Sequence, residues 1–279
     1  MAIRVAINGF GRIGRAFARS IQGRDIEIVA INDLGSLENL AYLLKFDTVY
    51  GRAPFSVEAK DGALMIDGRE VKFFSEKDPA QLPWKDLGID VAIEATGAFT
   101  EYEKAKAHLD AGARRVVITA PAKADSPLGD TILMGINDGK MATCTITSNG
   151  SCTTNAVSPV VAILDAALGI EKAILSTTHG YTASQSIVDG PSKKDMKEGR
   201  AAAQNIVPTS TGAAVSVTKA YTALAGSFDG ISLRVPVPAG SIADITFIAK
   251  RATTKEEVND ILRKATQDAA WQGIFAVSE

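Results

Sequence analysis

Three glycines in the run Gly9-Phe10-Gly11-Arg12-Ile13-Gly14 constrain this chain most, because of where they fall. An alternating apolar strand, Ile3 to Ile7, leads into them, and a helical run from Gly11 to Gln22, closed by Gly23, leads away. A strand that turns at once into a helix needs Gly9 for the tight turn and Gly14 for close packing of helix on strand, while Gly11 leaves the backbone bare for an approaching anion. The first helical turn carries N–H groups without intrahelical partners, so a pyrophosphate is its natural ligand. Ile26 to Ile31 is a second strand and completes a βαβ unit. Asp33 ends it, at the spacing from which an acid reaches an adenosine ribose, and its charge repels a 2′-phosphate. The pattern therefore favours NAD over NADP. A ligand-free glycine turn and a turn-forming Asp are the rival readings.

Further along, Ser36 can cap a helix running to about Phe46, and Phe55 to Phe74 reads as short strands turning at Asp61-Gly62 and Asp67-Gly68. Val91 to Glu94 and Arg115 to Thr119 read as buried strands, with a helix from Glu101 to Ala111 between them that stops at Gly112. Strands alternating with helices predict a mostly parallel sheet of the Rossmann type. With 279 residues there is room for two domains at roughly 150 residues each. The polar turn at Ser148 to Asn155 places the boundary, giving a dinucleotide-binding domain over 1–150 and an α+β catalytic domain over 151–279. In the second domain we expect an apolar helix at Val157 to Leu168, a strand at Lys172 to Thr177, and an irregular stretch from Tyr181 to Pro208. A helix near Thr211 and strands at Ile231 to Val237 and Ile242 to Lys250 follow, then a Thr254-x-x-Glu257 capping box before a helix ending near Ala270. A long loop in a compact domain is usually functional.

Composition narrows the function classes. A formal charge of −2 with 46% hydrophobic residues excludes disorder and a strongly basic nucleic-acid binder, so no dedicated nucleic-acid site is expected. The most apolar run, Val157 to Ile170, is interrupted by Asp165 and falls short of the roughly 18 residues that read as a membrane span. No signal-peptide pattern opens the chain, and the expected location is cytoplasmic. Two cysteines and two histidines are too few for a disulfide framework or a Cys/His zinc site, and no metal is expected.

Cys152 lies in the polar stretch Ser148 to Asn155 that opens into the apolar helix. There the positive end of the helix, and a nearby imidazole, favour the nucleophilic thiolate. Cys144, in Thr143 to Ile146, reads as a buried structural thiol in a strand. His179 ends a strand beside the long loop, a typical functional address, whereas His108 sits mid-helix among Lys and Asp and reads as solvated. Cys152 and His179 are the one nucleophile and base pair this chain offers. A structural role is the rival for each taken alone.

Beyond the glycine run, Ser151 to Asn155, Thr178 to Thr182, Asp189 to Asp195, Ser210 to Ala214 and Leu233 to Pro236 together resemble phosphorylating glyceraldehyde-3-phosphate dehydrogenase, over the whole chain and in the family's order. The resemblance implies that Cys152 attacks an aldehyde carbon to form a thiohemiacetal, with His179 assisting. Hydride then passes to NAD and inorganic phosphate releases the thioester. It assigns Thr182 and Arg234 to the substrate phosphate, and Ser151, Thr153, Thr211 and Gly212 to the attacking phosphate. Arg12 and Ile13 would contact pyrophosphate through their backbone, Lys77 would lie near adenine, and Thr96 and Thr119 beside the nicotinamide half. The segment Tyr181 to Pro208 resembles a subunit-interface loop, implying a homotetramer with Arg200 at the interface.

Two departures stand out. The family continues for about fifty residues past the point matching Ala276 to Glu279, so the chain is expected to bind NAD weakly, to keep a reactive Cys152 and to turn over poorly. Gly180 replaces an Ala common after the catalytic His, a change expected to be mild. Erythrose-4-phosphate dehydrogenase shares nearly all these motifs and is the alternative enzyme. A truncated NAD-binding module with little turnover, and an interaction protein that kept the fold, are the alternatives outside catalysis.

Overall fold

The computed structural model describes residues 2–192 and 195–278, so Lys193 and Lys194 of the Asp189 to Asp195 motif, and Glu279, lie outside the described residues. The chain forms two compact units. The first comprises the chain up to Thr131 together with Lys140–Asn149, and the second Ile132–Gly139 together with the chain from Gly150 onward.

The first unit opens with β1 (Ile3–Asn8), α1 (Arg12–Ser20), β2 (Ile26–Asn32), α2 (Leu37–Lys45) and a small hairpin of β3 (Phe46–Asp47) and β4 (Gly51–Arg52). It continues through β5 (Val57–Lys60), β6 (Ala63–Ile66), β7 (Arg69–Phe74), β8 (Val91–Glu94), α3 (Tyr102–Ala105), α4 (Ala107–Asp110), β9 (Arg115–Ile118), β10 (Gly129–Thr131) and β11 (Ile146–Ser148). Nine strands make one sheet in the order β10-β11-β9-β8-β1-β2-β7-β6-β5, parallel from β10 through β7. Both faces are covered: Val5 and Ile7 join a core with Leu40 and Leu44 of α2, while Ala6 joins one with Trp84, Tyr102 and Ala105. That is why β1 is a continuous buried run over its last four residues and not an alternating one. The hairpins β5–β6 and β6–β7 close through two-residue loops at Asp61-Gly62 and Asp67-Gly68, with φ of 52°, 78°, 47° and 74°. These loops are the type I′ turns that the Asp-Gly pairs predict. Ser36 caps α2 by accepting the Asn39 N–H.

Some expectations change in detail. The helix from Glu101 to Ala111 is split into α3 and α4 at Lys106, whose backbone stays helical (φ −55°, ψ −26°). Cys144 is half-buried and lies before β11, not within a strand. The Arg115 guanidinium takes the carbonyls of Met141 and Cys144 at 2.8 and 3.0 Å, holding that segment off the ladder. His108 is fully buried instead of solvated, since both ring nitrogens find partners inside the unit.

The second unit carries α5 (Cys152–Leu168), β12 (Ile170–Gly180), β13 (Val207–Ser210), α6 (Ala213–Ala220), β14 (Phe228–Val235), β15 (Ser241–Ala249) and α7 (Lys255–Ala265). Its sheet runs β13-β14-β12-β15, with β12 parallel to β14 and antiparallel to β15. Val157, Val161 and Leu164 of α5 pack with Val217 of α6 and Leu175 of β12, and Ile261 and Leu262 of α7 lie against them. On other positions of the strands Ile174, Ile231, Ile242 and Ile248 remain exposed. α7 ends earlier than expected, and its capping box is half formed. Thr254 accepts the Glu257 N–H, but the Glu257 carboxylate turns to Arg251 and to the Thr253 hydroxyl.

Candidate active site

In the first unit the sheet order reverses direction at β1, whose neighbours are β2 on one side and β8 on the other. Ligands of open α/β sheets bind in the crevice at the carboxyl ends of strands at such a switch point. A cleft of about 380 Å³ lies there, lined by Gly9, Gly11, Asp33, Leu34, Lys77 and Thr96 among others. Each glycine is required for its own reason. Gly9 has φ +91°, and a Cβ on it would meet the Thr96 nitrogen at 2.6 Å; a Cβ on Gly14 would meet the Gly9 carbonyl at 2.2 Å. A Cβ on Gly11 would meet nothing within 4 Å, so the backbone there is open. Gly11 caps α1 without a side-chain bond, and no acidic residue occupies the first turn, leaving its N–H groups for an anion.

Asp33 accepts the Phe10 N–H at 2.7 Å and the Gly35 N–H at 2.8 Å, so it braces the glycine turn as well as lining the cleft. A carboxylate has about four acceptor positions, which leaves room for ribose hydroxyls. The Asp33 carboxylate with acceptor positions to spare, the bare Gly11 and the uncapped helix start fit a dinucleotide.

Other expected contacts are distributed unevenly. Arg12 is exposed, pairs with Asp47 and lies over the Tyr50 ring 5.1 Å from its centroid, so its side chain is directed to the β3–β4 hairpin while its backbone stays at the helix start. Ile13 is exposed in the same turn. Thr119 does not line the cleft; its hydroxyl donates to the Glu94 carbonyl at 3.1 Å. Three polar side chains not anticipated as site residues stand in register across the strand ends: Asn32 of β2, Asn8 of β1 and Glu94 of β8. Asn32 donates to Asn8 at 2.7 Å and Asn8 to Glu94 at 2.6 Å. The signal that could have found them is a polar residue closing each of three apolar strands.

In the second unit Cys152 is the first residue of α5 and is exposed. Ser151 caps the helix by accepting the Thr154 N–H at 3.0 Å. The thiol lies 3.2 Å from His179 Nε2, and His179 Nδ1 is 2.6 Å from the Gly180 carbonyl. A carbonyl only accepts, so Nδ1 carries the proton and the neutral ring turns the Nε2 lone pair to the thiol. Proton transfer from Sγ to Nε2 yields a thiolate and an imidazolium at the positive end of a helix.

Arg234 is the register partner of His179. Its Nη1 reaches the Gly180 carbonyl at a long 3.5 Å, and its buried Nε has no partner among the described residues. Burial lowers its pKa, while Cys152 and then Glu198 raise it. Such an underused cation is suited to an anion. Glu198, held by the Thr209 hydroxyl at 2.7 Å, was not anticipated there.

Three of the four hydroxyls expected at the phosphates, those of Thr182, Ser151 and Thr211, are engaged locally. Thr182 bonds Gln185 and Ser184, Ser151 lies 2.8 Å from the Thr154 hydroxyl, Thr211 accepts the Ala213 N–H, and Thr153 is buried. Gly212 caps α6 with open space beside it. Gly180 packs tightly, since a Cβ would approach the Val237 carbonyl to 2.8 Å.

Residues 3–102 match the family model for the glyceraldehyde 3-phosphate dehydrogenase NAD binding domain, and residues 151–279 match the model for the C-terminal domain of the same enzyme. The chain belongs to the glyceraldehyde-3-phosphate dehydrogenase family. The glyceraldehyde-3-phosphate dehydrogenase of Streptomyces coelicolor is 47% identical over 283 residues, covering 100% of this chain and 83% of the relative. Glyceraldehyde-3-phosphate dehydrogenase A of Escherichia coli K12 is 44% identical over 280 residues with the same shares, and that of Clostridium acetobutylicum 46% over 269 residues, covering 95% and 80%. As a glyceraldehyde-3-phosphate dehydrogenase, the chain is an NAD-dependent glycolytic oxidoreductase with a Rossmann-type cofactor domain followed by a catalytic domain. Neither the erythrose-4-phosphate reading nor that of an NAD-binding chain with little turnover is favoured. No helix among the described residues is long and apolar enough to cross a membrane.

Proposed function

We propose that Cys152 and His179 are the catalytic pair that oxidises glyceraldehyde 3-phosphate and hands the acyl group to inorganic phosphate. The observation that carries this reading is the 3.2 Å approach of Sγ to an imidazole nitrogen whose partner nitrogen is tied to a carbonyl. Cys152 adds to the aldehyde carbon, forming the C–S bond, and the carbonyl oxygen takes its proton from His179 Nε2. His179 then removes that proton as the carbon–oxygen double bond re-forms and a thioester results. NAD, when bound, supplies the hydride acceptor for this oxidation. An oxygen of inorganic phosphate attacks the thioester carbon, and Cys152 leaves as the thiolate, which returns the site to its starting state.

Arg234 and Thr182 would hold the substrate phosphate, the first through an underused guanidinium and the second at an exposed loop. Ser151, Thr153, Thr211 and Gly212 would hold the attacking phosphate between the starts of α5 and α6. On the cofactor side Gly9, Gly11, Gly14, Arg12 and Ile13 would take the pyrophosphate, Asp33 the adenosine ribose, Lys77 the adenine, and Thr96 and Thr119 the nicotinamide half. The cofactor domain would span 1–150 and the catalytic domain 151–279. A cytoplasmic homotetramer belongs to the same reading. The exposed isoleucines of the second sheet, and Ile187, Val188, Met196 and Ile206 in the long loop near Arg200, support burial between copies of this chain. Two free cysteines, one of them exposed, suit a reducing compartment.

The deciding experiment follows NADH formation from glyceraldehyde 3-phosphate with and without inorganic phosphate or arsenate. The reading requires sustained turnover only when one of the anions is present and no turnover in C152S. Equal turnover in phosphate-free buffer would replace it with a hydrolytic dehydrogenase.

A further inference from the structure

We infer that His108 is a positioning residue for the nucleotide cleft, acting through Glu94 on Thr96 and Asn8. His108 and Glu94 are 0% and 1% exposed, and neither belongs to the chemistry described above. Trp84 Nε1 can only donate, and it lies 3.0 Å from His108 Nδ1. Nδ1 is therefore the acceptor and the proton of the neutral ring sits on Nε2. That N–H donates to Glu94 Oε2 at 3.0 Å, beside the Asn8 amide at 2.6 Å. The other oxygen, Oε1, accepts the Thr96 backbone N–H at 2.8 Å and the Thr96 hydroxyl. Each oxygen thus takes two donors, and no Lys or Arg among the described residues pairs with Glu94.

The consequence reaches the cleft through both of its walls. Asn8 precedes the Gly9 turn after β1, and Thr96 belongs to the turn after β8 that Gly9 packs against. Thr96 gives its hydroxyl proton to Glu94 and accepts the Ala98 N–H at 3.0 Å, so it offers the cleft a lone pair. It can accept from a ribose hydroxyl or an amide N–H of the bound dinucleotide, and it has no proton to donate. A buried carboxylate that loses one of its donors recruits another, because an unsatisfied charge in the interior is expensive. Removing the His108 N–H therefore loosens Asn8 and Thr96, although His108 itself is out of reach of the ligand.

This inference rests on the cleft being the NAD site, which binding of NAD to the unmodified protein tests separately. Two substitutions divide the two ring nitrogens of His108. H108Q extends an amide nitrogen to the Nε2 position and keeps a donor for Glu94, while the acceptor for Trp84 is lost. H108N places its carbonyl near the Nδ1 position and keeps the acceptor for Trp84, while Glu94 loses its donor. Both should lower the melting temperature. In titration calorimetry H108N should weaken NAD binding roughly tenfold, and H108Q should stay within about twofold of the parent. Amide hydrogen exchange of the 95–99 segment in the ligand-free protein should accelerate in H108N alone. Equal changes in NAD affinity for the two variants, or unchanged affinity in both, would overturn the positioning role and leave a purely structural histidine. If H108N does not fold, E94Q carries the test. It keeps the shape but turns one acceptor into a donor, and NAD affinity equal to the parent's would likewise overturn the role.

Discussion

Asp33 joins turn geometry to cofactor choice, so its replacement has two consequences that can be measured apart. In D33A the Phe10 N–H loses its acceptor at 2.7 Å and the Gly35 N–H loses its acceptor at 2.8 Å. Hydrogen bonds to a charged group contribute about 1.5–3 kcal/mol each, and less where water can replace the partner. Gly35 is exposed and Phe10 is buried, so the loss falls mainly on the Phe10 bond. The total is about 2–4 kcal/mol, which lowers the melting temperature of a unit of this size by roughly 5–10 °C. D33N keeps one acceptor oxygen and turns an amide N–H toward the other donor, so it should fall between D33A and the parent.

The second consequence appears in binding. The acceptor positions of Asp33 that Phe10 and Gly35 leave unused are those offered to the ribose hydroxyls. Losing one or two charge-assisted bonds weakens NAD by roughly 10–100-fold, while NADP loses a repulsion and changes little. Calorimetric titration of both cofactors into the parent, D33A and D33N reads this ratio, and a thermal scan without ligand reads stability. A D33A protein that melts with the parent would refute the bracing of the glycine turn. An unchanged NAD-to-NADP ratio would refute the ribose role, whatever the melting temperature does.

Brief iodoacetamide treatment followed by peptide mapping should label Cys152 far faster than Cys144, since the first is exposed at a helix start beside His179 and the second is half-buried; equal labelling would reverse the assignment. H179N should slow both this alkylation and NADH formation by ~10²–10⁴-fold, and a variant that lost only one of the two would break the link between them. R234L should lower kcat/KM for the phosphorylated aldehyde by roughly 100-fold and leave unphosphorylated glyceraldehyde nearly untouched; equal losses would place Arg234 outside the phosphate site. Burial first, with nearby acids adding to it, pushes Tyr102 and Tyr221 up to about 12, and Tyr221 also donates to Asp165 at 2.8 Å. Because these folded values are raised, the stability they contribute is complete below pH ~10 and lost as pH climbs toward 12. An ultraviolet titration in which all five tyrosines ionise together near pH 10 would contradict this.

Features set by neighbours along the chain are legible in the sequence itself. The glycine run, the two Asp-Gly turns and the Ser36 cap each depend on residues within a few positions, and each has the form those residues predict. The features that differ depend on distant partners. Cys144 leaves the strand because Arg115 takes its carbonyl, and Glu257 abandons the capping box because Arg251 offers a charge. The polar row Asn32, Asn8 and Glu94 exists only once β1 lies between β2 and β8. Each strand by itself shows only that it closes on a polar residue, and the strand order decides that the three meet.

The two histidines show why residue type alone does not distinguish a base from a brace. Each presents Nε2 to an acidic or potentially acidic group, His179 to a thiol and His108 to a carboxylate. What differs is the partner of Nδ1. A backbone carbonyl at Gly180 holds the proton on Nδ1 and leaves His179 able to accept one at Nε2. An indole N–H at Trp84 forces the opposite tautomer, and His108 can only give its proton to a bond that Glu94 already completes. Exposure follows the same division, since a base must meet its substrate and a fully satisfied pair need not meet water. Exchanging the Nδ1 partners would exchange the roles: Gly180 sits inside a motif the sequence displays, whereas Trp84, 24 residues from His108, is not a residue that composition or motif spacing would single out.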